Sequence, residues 1–448
     1  MKIVIVGAGN AGRQLAVRLC SERHNVVLID VSMEALRQAE SSLDAMSLCG
    51  SGVDPQILEQ AGTEDADLFV AVTDRDEINI LACLLANAVG VPRKIARVGN
   101  AQFVQSASKF NLEKMGINLV INQKQACVDQ ICRALALPGA VESFDLFGGK
   151  ALVAGFAIAD GSPILGFSPA TLPVQDLLAK LRIIALRRKD DLVIPHGGTA
   201  FEPNDFLYLV GDPDDVRAFS MWMNPGQTPF VKVIVAGGGD IGLATARAME
   251  ANGVAVVLLE QDEERALKCS GELDGALVLR ADALSESTLD EAGVVPRTAF
   301  VAVTGDDENN VMNCLMARKK GVDYTITLIA RTEYIPAVTS LALVDRIVSP
   351  FESITRGILH FLRSRNVRAA ALLHGLPGEL LDIDIGTQGK RIGQRLRDLR
   401  FPRASIVAIV VRNGAVVPAT GDLTIEPGDR LLVFAAPSAV KRLQDFFK

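Results

Sequence analysis

The chain has 448 residues, of which 49% are hydrophobic and 22% charged, and its formal net charge is −7. This length predicts about two to four domains, and the composition is typical of a folded protein with aliphatic cores. The negative charge argues against a nucleic-acid surface, which needs clustered Lys and Arg. The seven cysteines form no C-x-x-C pair and no Cys/His cluster, which favours free thiols.

Aliphatic runs alternate with helix-like stretches in the first part of the chain. The start MKIVIVGAG is typical of a strand rather than a signal segment, and no apolar run is long enough to span a membrane. Strands are predicted near 2–6, 26–30, 46–49, 68–72 and 94–98, with helices near 11–22, 33–41, 54–61 and 76–89. This alternation predicts a Rossmann-like, doubly wound parallel sheet. The turn-rich stretch that follows is typical of a small α+β lobe.

The second half of the chain repeats the first. VAVTDRDEINILAC at 70–83 matches VAVTGDDENNVMNC at 301–314, and IAR at 95–97 matches IAR at 329–331. Residues 201–210 resemble residues 425–434, each with a Glu-Pro-x-Asp turn before an aliphatic strand. The chain is therefore predicted to be a tandem duplication.

Pro/Gly breakers near 137–139, 224–226 and 375–378 separate the predicted lobes. Crossover helices are predicted at Gln125–Ala136 and Ser353–Arg363. The predicted lobes are a nucleotide-binding lobe at 1–123, an α+β lobe at 140–222, a second nucleotide-binding lobe at 230–350 and a second α+β lobe at 368–448.

A G-x-G-x-x-G turn stands between a strand and a helix in both halves. Its first glycine permits a tight turn, its second lets the backbone approach a pyrophosphate, and its third allows close helix packing. Asp30 and Glu260 each follow the third glycine by 18 residues, where an acid can accept hydrogen bonds from a ribose. No Arg that could hold a 2′-phosphate is recognised near either acid, which favours NAD(H) or an adenine nucleotide over NADP. Empty turns left by duplication are the alternative, and Asp240 would repel a phosphate at the second turn.

Four further side chains are candidates at the carboxyl edge of the predicted sheets. Thr73 and Thr304 end the fourth strand of each half, where they could contact a ligand or cap the following helix. Arg97 and Arg331 follow the fifth strand and could bind phosphate, with a surface salt bridge as the alternative.

No catalytic or metal-binding residue is assigned. The four histidines are isolated, and the chain has no P-loop, no H-E-x-x-H and no G-x-S-x-G motif. A dehydrogenase needs a general acid or base near the reacting carbon, which favours binding without catalysis. An NAD-dependent oxidoreductase with a duplicated cofactor domain stays open as an alternative.

The order GAGNAG…Asp30, VAVTDRDEIN, RIARV and PGA (138–140), repeated as GGGDIG…Glu260, VAVTGDDENN and IVSP, resembles the TrkA family. These proteins are regulatory subunits of Trk-type bacterial potassium uptake systems. Each half is an RCK (KTN) domain, with a Rossmann-like N-lobe and a small C-lobe. The resemblance covers essentially the whole chain.

The resemblance implies a cytoplasmic, non-enzymatic protein that binds NAD(H) and/or ATP/ADP. It implies a homo-oligomeric ring of RCK domains, peripheral to the membrane through a TrkH/TrkG-like potassium channel subunit. A tandem RCK regulator of a different cation transporter is the alternative. From the motifs and the resemblance together, the candidate residues are Gly7, Ala8, Gly9, Asn10, Ala11, Gly12, Asp30, Thr73, Asp74 and Arg97 at the first site, and Gly237, Gly238, Gly239, Asp240, Ile241, Gly242, Glu260, Thr304, Gly305 and Arg331 at the second.

Overall fold

The structure is a computed structural model that describes the chain except for residues 41–44, 101–102, 104–110, 138, 190, 226–228, 364–367, 373–377, 388–390, 400, 403 and 448. The predicted breakers at 138, 226 and 375–377 therefore lie outside the described residues. The described chain divides into two compact units. The first unit contains residues 1–132 and 231–359, and the second contains residues 133–230 and 360–448.

A six-stranded sheet opens the first unit. Its strands are β1 (Lys2–Val6), β2 (Asn25–Asp30), β3 (Met46–Cys49), β4 (Leu68–Ala71), β5 (Lys94–Arg97) and β6 (Leu119–Ile121). Its helices are α1 (Asn10–Ser21), α2 (Met33–Glu40), α3 (Pro55–Gln60) and α4 (Asp76–Ala88), and α5 (Gln123–Ala136) follows β6. All strand pairs are parallel, in the order β3-β2-β1-β4-β5-β6, so the prediction of a doubly wound sheet is confirmed. Strand β6 was not predicted, because three apolar residues are too short a run to identify a strand.

An antiparallel five-stranded sheet follows α5 in the second unit. Its strands are β7 (Ala140–Leu146), β8 (Ala151–Ala157), β9 (Arg182–Arg188), β10 (Asp191–Val193) and β11 (Phe206–Gly211), in the order β10-β9-β11-β8-β7. Helices α6 (Gln175–Leu178) and α7 (Pro213–Met223) accompany it. The predicted α+β character of this lobe is confirmed.

The first unit contains a second parallel sheet of the same topology. Its strands are β12 (Lys232–Ala236), β13 (Ala255–Glu260), β14 (Leu277–Arg280), β15 (Thr298–Ala302), β16 (Tyr324–Leu328) and β17 (Arg346–Val348), in the order β14-β13-β12-β15-β16-β17. Its helices are α8 (Asp240–Ala251), α9 (Glu263–Glu272), α10 (Glu286–Ala292), α11 (Asp307–Lys319) and α12 (Ile335–Ser340), and α13 (Pro350–Arg363) follows β17. Both sheets have a switch in strand order beside the strand that precedes the glycine turn, and ligands bind at such points.

The chain ends in a second antiparallel sheet, within the second unit. Its strands are β18 (Arg368–Leu372), β19 (Glu379–Asp384), β20 (Ser405–Arg412), β21 (Ala415–Pro418) and β22 (Arg430–Ala435), in the order β18-β19-β22-β20-β21, and α14 (Pro437–Phe447) follows. The two antiparallel sheets share one apolar cluster, in which Phe206 and Tyr208 of β11 pack with Leu432 and Phe434 of β22. The second unit therefore has a core to which both repeats contribute.

Each antiparallel sheet contains the same buried ion pair at its Glu-Pro-x-Asp turn. Arg188 donates from Nε and Nη2 to the two carboxylate oxygens of Asp205, at 2.9 and 2.7 Å. Arg412 makes the same bidentate contact with Asp429, at 2.9 Å for both bonds. Asp205 and Asp429 are only 1% and 0% exposed, so each carboxylate depends on its arginine for compensation of its charge.

The ionisation of Asp429 is coupled to this contact. Burial acts to raise the pKa of Asp429, but the hydrogen bonds from Arg412 and from the Glu426 N–H, with the arginine charge, outweigh it and lower the pKa overall. A carboxyl whose pKa is lower in the folded protein stabilises the fold above its ordinary pKa of about 3.9. That stabilisation is lost as the pH falls through the lowered pKa.

Replacement of Asp429 by Asn should destabilise the second unit by about 2–4 kcal/mol, because the partly buried guanidinium of Arg412 loses its buried counter-charge and keeps only the exposed carboxylate of Glu426. Thermal unfolding at pH 7 should show a midpoint lowered by about 5–10 °C, and the acid sensitivity of the transition should weaken. The matched control is Asp422→Asn, whose carboxylate is 73% exposed in its ion pair with Arg397. Equal shifts for both variants would contradict a structural role for the buried pair.

Candidate functional site

The glycine turns bring strand, loop and helix closer together than side chains would allow. Gly7 has φ +106° and Gly237 has φ +109°, in the region that favours glycine. A β-carbon on Gly12 would lie 1.8 Å from the Gly7 carbonyl oxygen, and one on Gly242 would lie 1.8 Å from that of Gly237. The first and third glycines therefore fix the turn and the helix that follows it.

The second glycine of each turn faces open space instead. A β-carbon on Gly9 or Gly239 would meet no atom of the described residues within 4 Å. Each of these glycines is the N-cap of its helix and supplies no side-chain hydrogen bond to the first turn. The N–H groups of a helix N-terminus attract anions, so both turns leave room for a phosphate at this position.

The acid at the end of the second strand is bound to the glycine turn. Asp30 accepts the Ala8 N–H at 2.6 Å and the Ser32 N–H at 2.7 Å, with a different oxygen for each bond. Glu260 repeats the arrangement, with the Gly238 N–H at 2.7 Å and the Asp262 N–H at 2.9 Å. Each oxygen keeps a further lone pair, so the carboxylates can still accept hydrogen bonds from ribose hydroxyls.

A cleft of about 340 Å³ opens at the second turn, above the carboxyl ends of β12 to β15. The predicted residues that line it are Gly237, Gly239, Glu260, Thr304 and Gly305. The predicted residues Gly238, Asp240, Ile241, Gly242 and Arg331 are not among the described residues of its lining. Residues that the sequence analysis did not identify complete its polar wall: Arg265, Asp282, Asp306, Asn309 and Asn313.

The expectation that no arginine lies near either acid is wrong for Glu260, which has Arg265 beside it. Arg265 is in the first turn of α9, and its guanidinium lies 3.4 Å from a carboxylate oxygen of Glu260. Helix α9 follows β13 directly, so its first turn lies beside the strand end. The parallel strand pairing aligns the two halves so that Ala35 of α2 is the counterpart of Arg265. At this position beside the acid, the second half therefore has an arginine and the first half has an alanine.

Asp240 does not present an uncompensated charge to the second turn. Its carboxylate is bound to the ammonium group of Lys124, from α5 at the end of the first half. That hydrogen bond and the lysine charge lower the pKa of Asp240. Asp240 is also the first residue of α8, where a negative charge interacts favourably with the helix dipole. The expected repulsion of a phosphate is therefore offset by a partner from the other repeat.

Thr73 and Thr304 do not cap the helices that follow them. The N-cap of α4 is Arg75, and that of α11 is Asp306, whose carboxylate accepts the Asn309 N–H. The threonine hydroxyls instead donate to buried asparagines, Thr73 to Asn79 at 2.7 Å and Thr304 to Asn310 at 2.6 Å. The capping alternative is therefore wrong.

Asn79 and Asn310 are structural residues that the sequence analysis missed. Asn79 Nδ2 donates to the carbonyl oxygens of Thr73 and Arg97, at 3.0 and 2.9 Å. Asn310 Nδ2 bonds the equivalent carbonyls, those of Thr304 and Leu328. Each asparagine joins the ends of two neighbouring strands at the ligand edge. The sequence signal for this role was that an asparagine stands at the same position in both copies of the repeated motif.

The strand register shows that the two IAR motifs are not equivalent, although the sequence matched them. Ala71 pairs with Ala96 and Ala302 with Thr327, so the counterpart of Arg97 is Leu328. Arg331 lies three residues beyond the end of β16. The match of Arg97 with Arg331 was wrong because three identical letters do not establish strand register.

The two arginines also have different surroundings. Arg97 is half-buried, and burial lowers its pKa, while the charges of Asp76 and Asp74 act to raise it. Arg331 donates to Tyr334 Oη at 2.7 Å and to Glu308 at 3.0 Å, and its pKa is raised. Arg331 therefore forms the surface salt bridge that was its alternative, whereas Arg97 lies near Asp74 at the edge of the first sheet.

No helix among the described residues is both long enough and apolar enough to cross a membrane.

Two family models match the chain. The TrkA-N domain matches residues 3–123 and 233–350, and the TrkA-C domain matches residues 153–224 and 383–448, which together span most of the chain. The Trk system potassium uptake protein TrkA of Azorhizobium caulinodans is 30% identical over 456 residues, which covers 100% of this chain and 99% of the relative. The protein of the same name from Halomonas elongata is 31% identical over 453 residues, with 99% and 97% covered.

Solved structures share the fold. The GsuK channel bound to NAD aligns with a TM-score of 0.63 at 18% identity, over 100% of this chain and 78% of that one. The GsuK RCK domain aligns with a TM-score of 0.61 at 18% identity, over 100% and 94%. At this level of identity the similarity establishes the common fold.

Single alanine substitutions should separate the roles of the glycines. Gly12→Ala should lower the free energy of unfolding by about 3 kcal/mol or more, because the β-carbon collides with the Gly7 carbonyl. Gly9→Ala should be nearly neutral, since its β-carbon faces open space and φ is −63°. Thermal unfolding of the ligand-free protein measures both. The pair Gly242→Ala and Gly239→Ala provides the same comparison in the second half, and equal effects within a pair would contradict the geometry.

Proposed function

The chain belongs to the TrkA family, and from this membership we propose that it is a nucleotide-binding regulatory subunit of a Trk-type potassium uptake system. The observation that carries the proposal is the open space at the second glycine of both turns, each next to a helix N-terminus and an acid. The proposed ligands are NAD(H) and ATP or ADP. The proposed role is regulatory rather than enzymatic.

The residues present fit such a ligand. Phosphates would lie at the N-termini of α1 and α8, beside Gly9 and Gly239, where no side chain blocks the backbone. Ribose hydroxyls would bind the remaining lone pairs of Asp30 and Glu260. A bound nucleotide would supply negative charge and binding free energy to the two lobes.

Regulation requires that the ligand bind two conformations of the protein unequally. A tenfold preference at one site corresponds to about 1.4 kcal/mol, and several sites acting together multiply the effect. We propose that nucleotide exchange in the N-lobes changes their relative angle, within a homo-oligomeric ring. The ring would dock on the cytoplasmic face of a TrkH/TrkG-like channel subunit and alter its open fraction. Contacts between repeats within the first unit, such as the Gln14–Thr332 hydrogen bond of 2.6 Å, could carry such a change.

Substitution at the open glycines should remove nucleotide binding without unfolding the protein. Gly9→Val and Gly239→Val each place a branched side chain where the phosphates would lie, so each variant should lose binding at its own cleft. Calorimetric titration with NADH, NAD⁺, ATP and ADP should show two classes of site in the wild type and none in the double variant. Arg18→Ala is the control, because its side chain is 57% exposed in the last turn of α1, away from the glycine turn. Unchanged binding in the double variant would refute nucleotide binding at these turns.

Potassium flux tests the regulatory part of the proposal. Vesicles that hold the Trk channel subunit of the same organism should show potassium uptake that depends on this protein and changes with the nucleotide present. The double glycine variant should still bind the channel subunit in a pull-down, but its uptake should no longer respond to nucleotide. Nucleotide-dependent uptake that survives in the double variant would contradict the mechanism. Capture of a different cation transporter would identify the alternative regulator.

A further inference from the structure

Helices α4 and α11 can be compared position by position, because they occupy equivalent places in the two parallel sheets. Asn79 and Asn310 make the same hydrogen bonds, and Cys83 and Cys314 each donate to a carbonyl of the neighbouring strand. This register places Asn313 of α11 where α4 has Ala82. One turn earlier, it places Asn309 where α4 has Ile78. The helix face that carries these two positions is therefore polar in α11 and apolar in α4.

Asn313 is buried without a hydrogen-bond partner for its carbonyl oxygen. The residue is 3% exposed, and its Oδ1 finds no partner among the described residues. Buried polar atoms are nearly always paired in native proteins, so an orphaned acceptor needs an explanation. Asn313 also lines the 340 Å³ cleft at the second glycine turn. A donor that enters this cleft can satisfy it.

The position of Asn313 indicates which part of a nucleotide it would meet. The phosphates belong at Gly239 and the ribose at Glu260, which leaves the base to extend past the acid. The cleft continues there between the loop Ala281–Leu284 and the first turns of α11. Asn313 is therefore at the end of the cleft that receives the base.

We propose that Asn313 is the base-recognition residue of the second cleft, where its Oδ1 accepts a hydrogen bond from the exocyclic amine of adenine. The first cleft, with Ala82 at this position, holds its nucleotide without that bond. The amine is the only hydrogen-bond donor on the adenine ring of the proposed ligands, and Oδ1 is an acceptor. This inference rests on the proposed function and adds that the two clefts of one chain differ in base selectivity.

The test compares ADP with purine riboside 5′-diphosphate, which lacks only the amine. The full chain with Gly9→Val leaves the second cleft as the working site, and the full chain with Gly239→Val leaves the first. Calorimetry should show that the second cleft prefers ADP by about tenfold, whereas the first has a much smaller preference. Adding Asn313→Ala to the Gly9→Val chain should remove the preference and leave the affinity for the purine analogue nearly unchanged.

The variant is expected to fold, because α4 already carries alanine at this position, and unchanged thermal unfolding without ligand checks this. If Asn313→Ala keeps the tenfold preference for ADP, or if the first cleft shows the same preference, the inference is overturned. Failure of the wild-type chain to bind ADP at all would instead refute the proposed function. The two failures are therefore distinguishable.

Discussion

The helix after each glycine turn lies so close to the turn that no β-carbon fits between them. At Gly12 and Gly242 the space is occupied by the carbonyl oxygen of the first glycine of the same motif. This contact fixes where the helix begins and directs its N-terminus across the strand ends. The open space at the second glycine and the hydrogen bonds from the turn to Asp30 and Glu260 both follow from it. The shape of each sheet at the carboxyl ends of its strands therefore follows from backbone packing at the glycine turn.

Polar contacts at the strand ends repeat in both halves, as the glycines do. Asp76 accepts the N–H groups of Gly99 and Asn100, and Asp307 accepts those of Ala330 and Arg331. Two buried asparagines join the strand ends, and two buried aspartates pair with arginines in the antiparallel sheets. To leave one of these polar groups without its partner costs more free energy than the paired contact contributes to stability. Neither partner can therefore change alone. Such groups define the frame that both repeats share.

Two of the side chains that line the second cleft do not repeat in the first half. Arg265 is opposite Ala35, and Asn313 is opposite Ala82. Neither residue joins the ends of two strands as Asn310 does, so each could diverge without loss of that contact. Duplication has therefore kept one framework and produced two chemically different walls. A regulator with two different clefts can respond to two ligands or to two concentration ranges of one ligand.

The sequence by itself determined the order and type of the elements, because strand and helix periodicities and the glycine spacing are local properties. In the first sheet the predicted helices and the five predicted strands differ from the structure by at most one residue at either end. It also determined the duplication and the positions of the two glycine turns. Only the tertiary structure decided that Arg331 is not the counterpart of Arg97, that Arg265 reaches Glu260, and that Asn313 is buried in the cleft wall. These facts depend on strand register and on side chains that meet across different elements, neither of which a linear pattern contains.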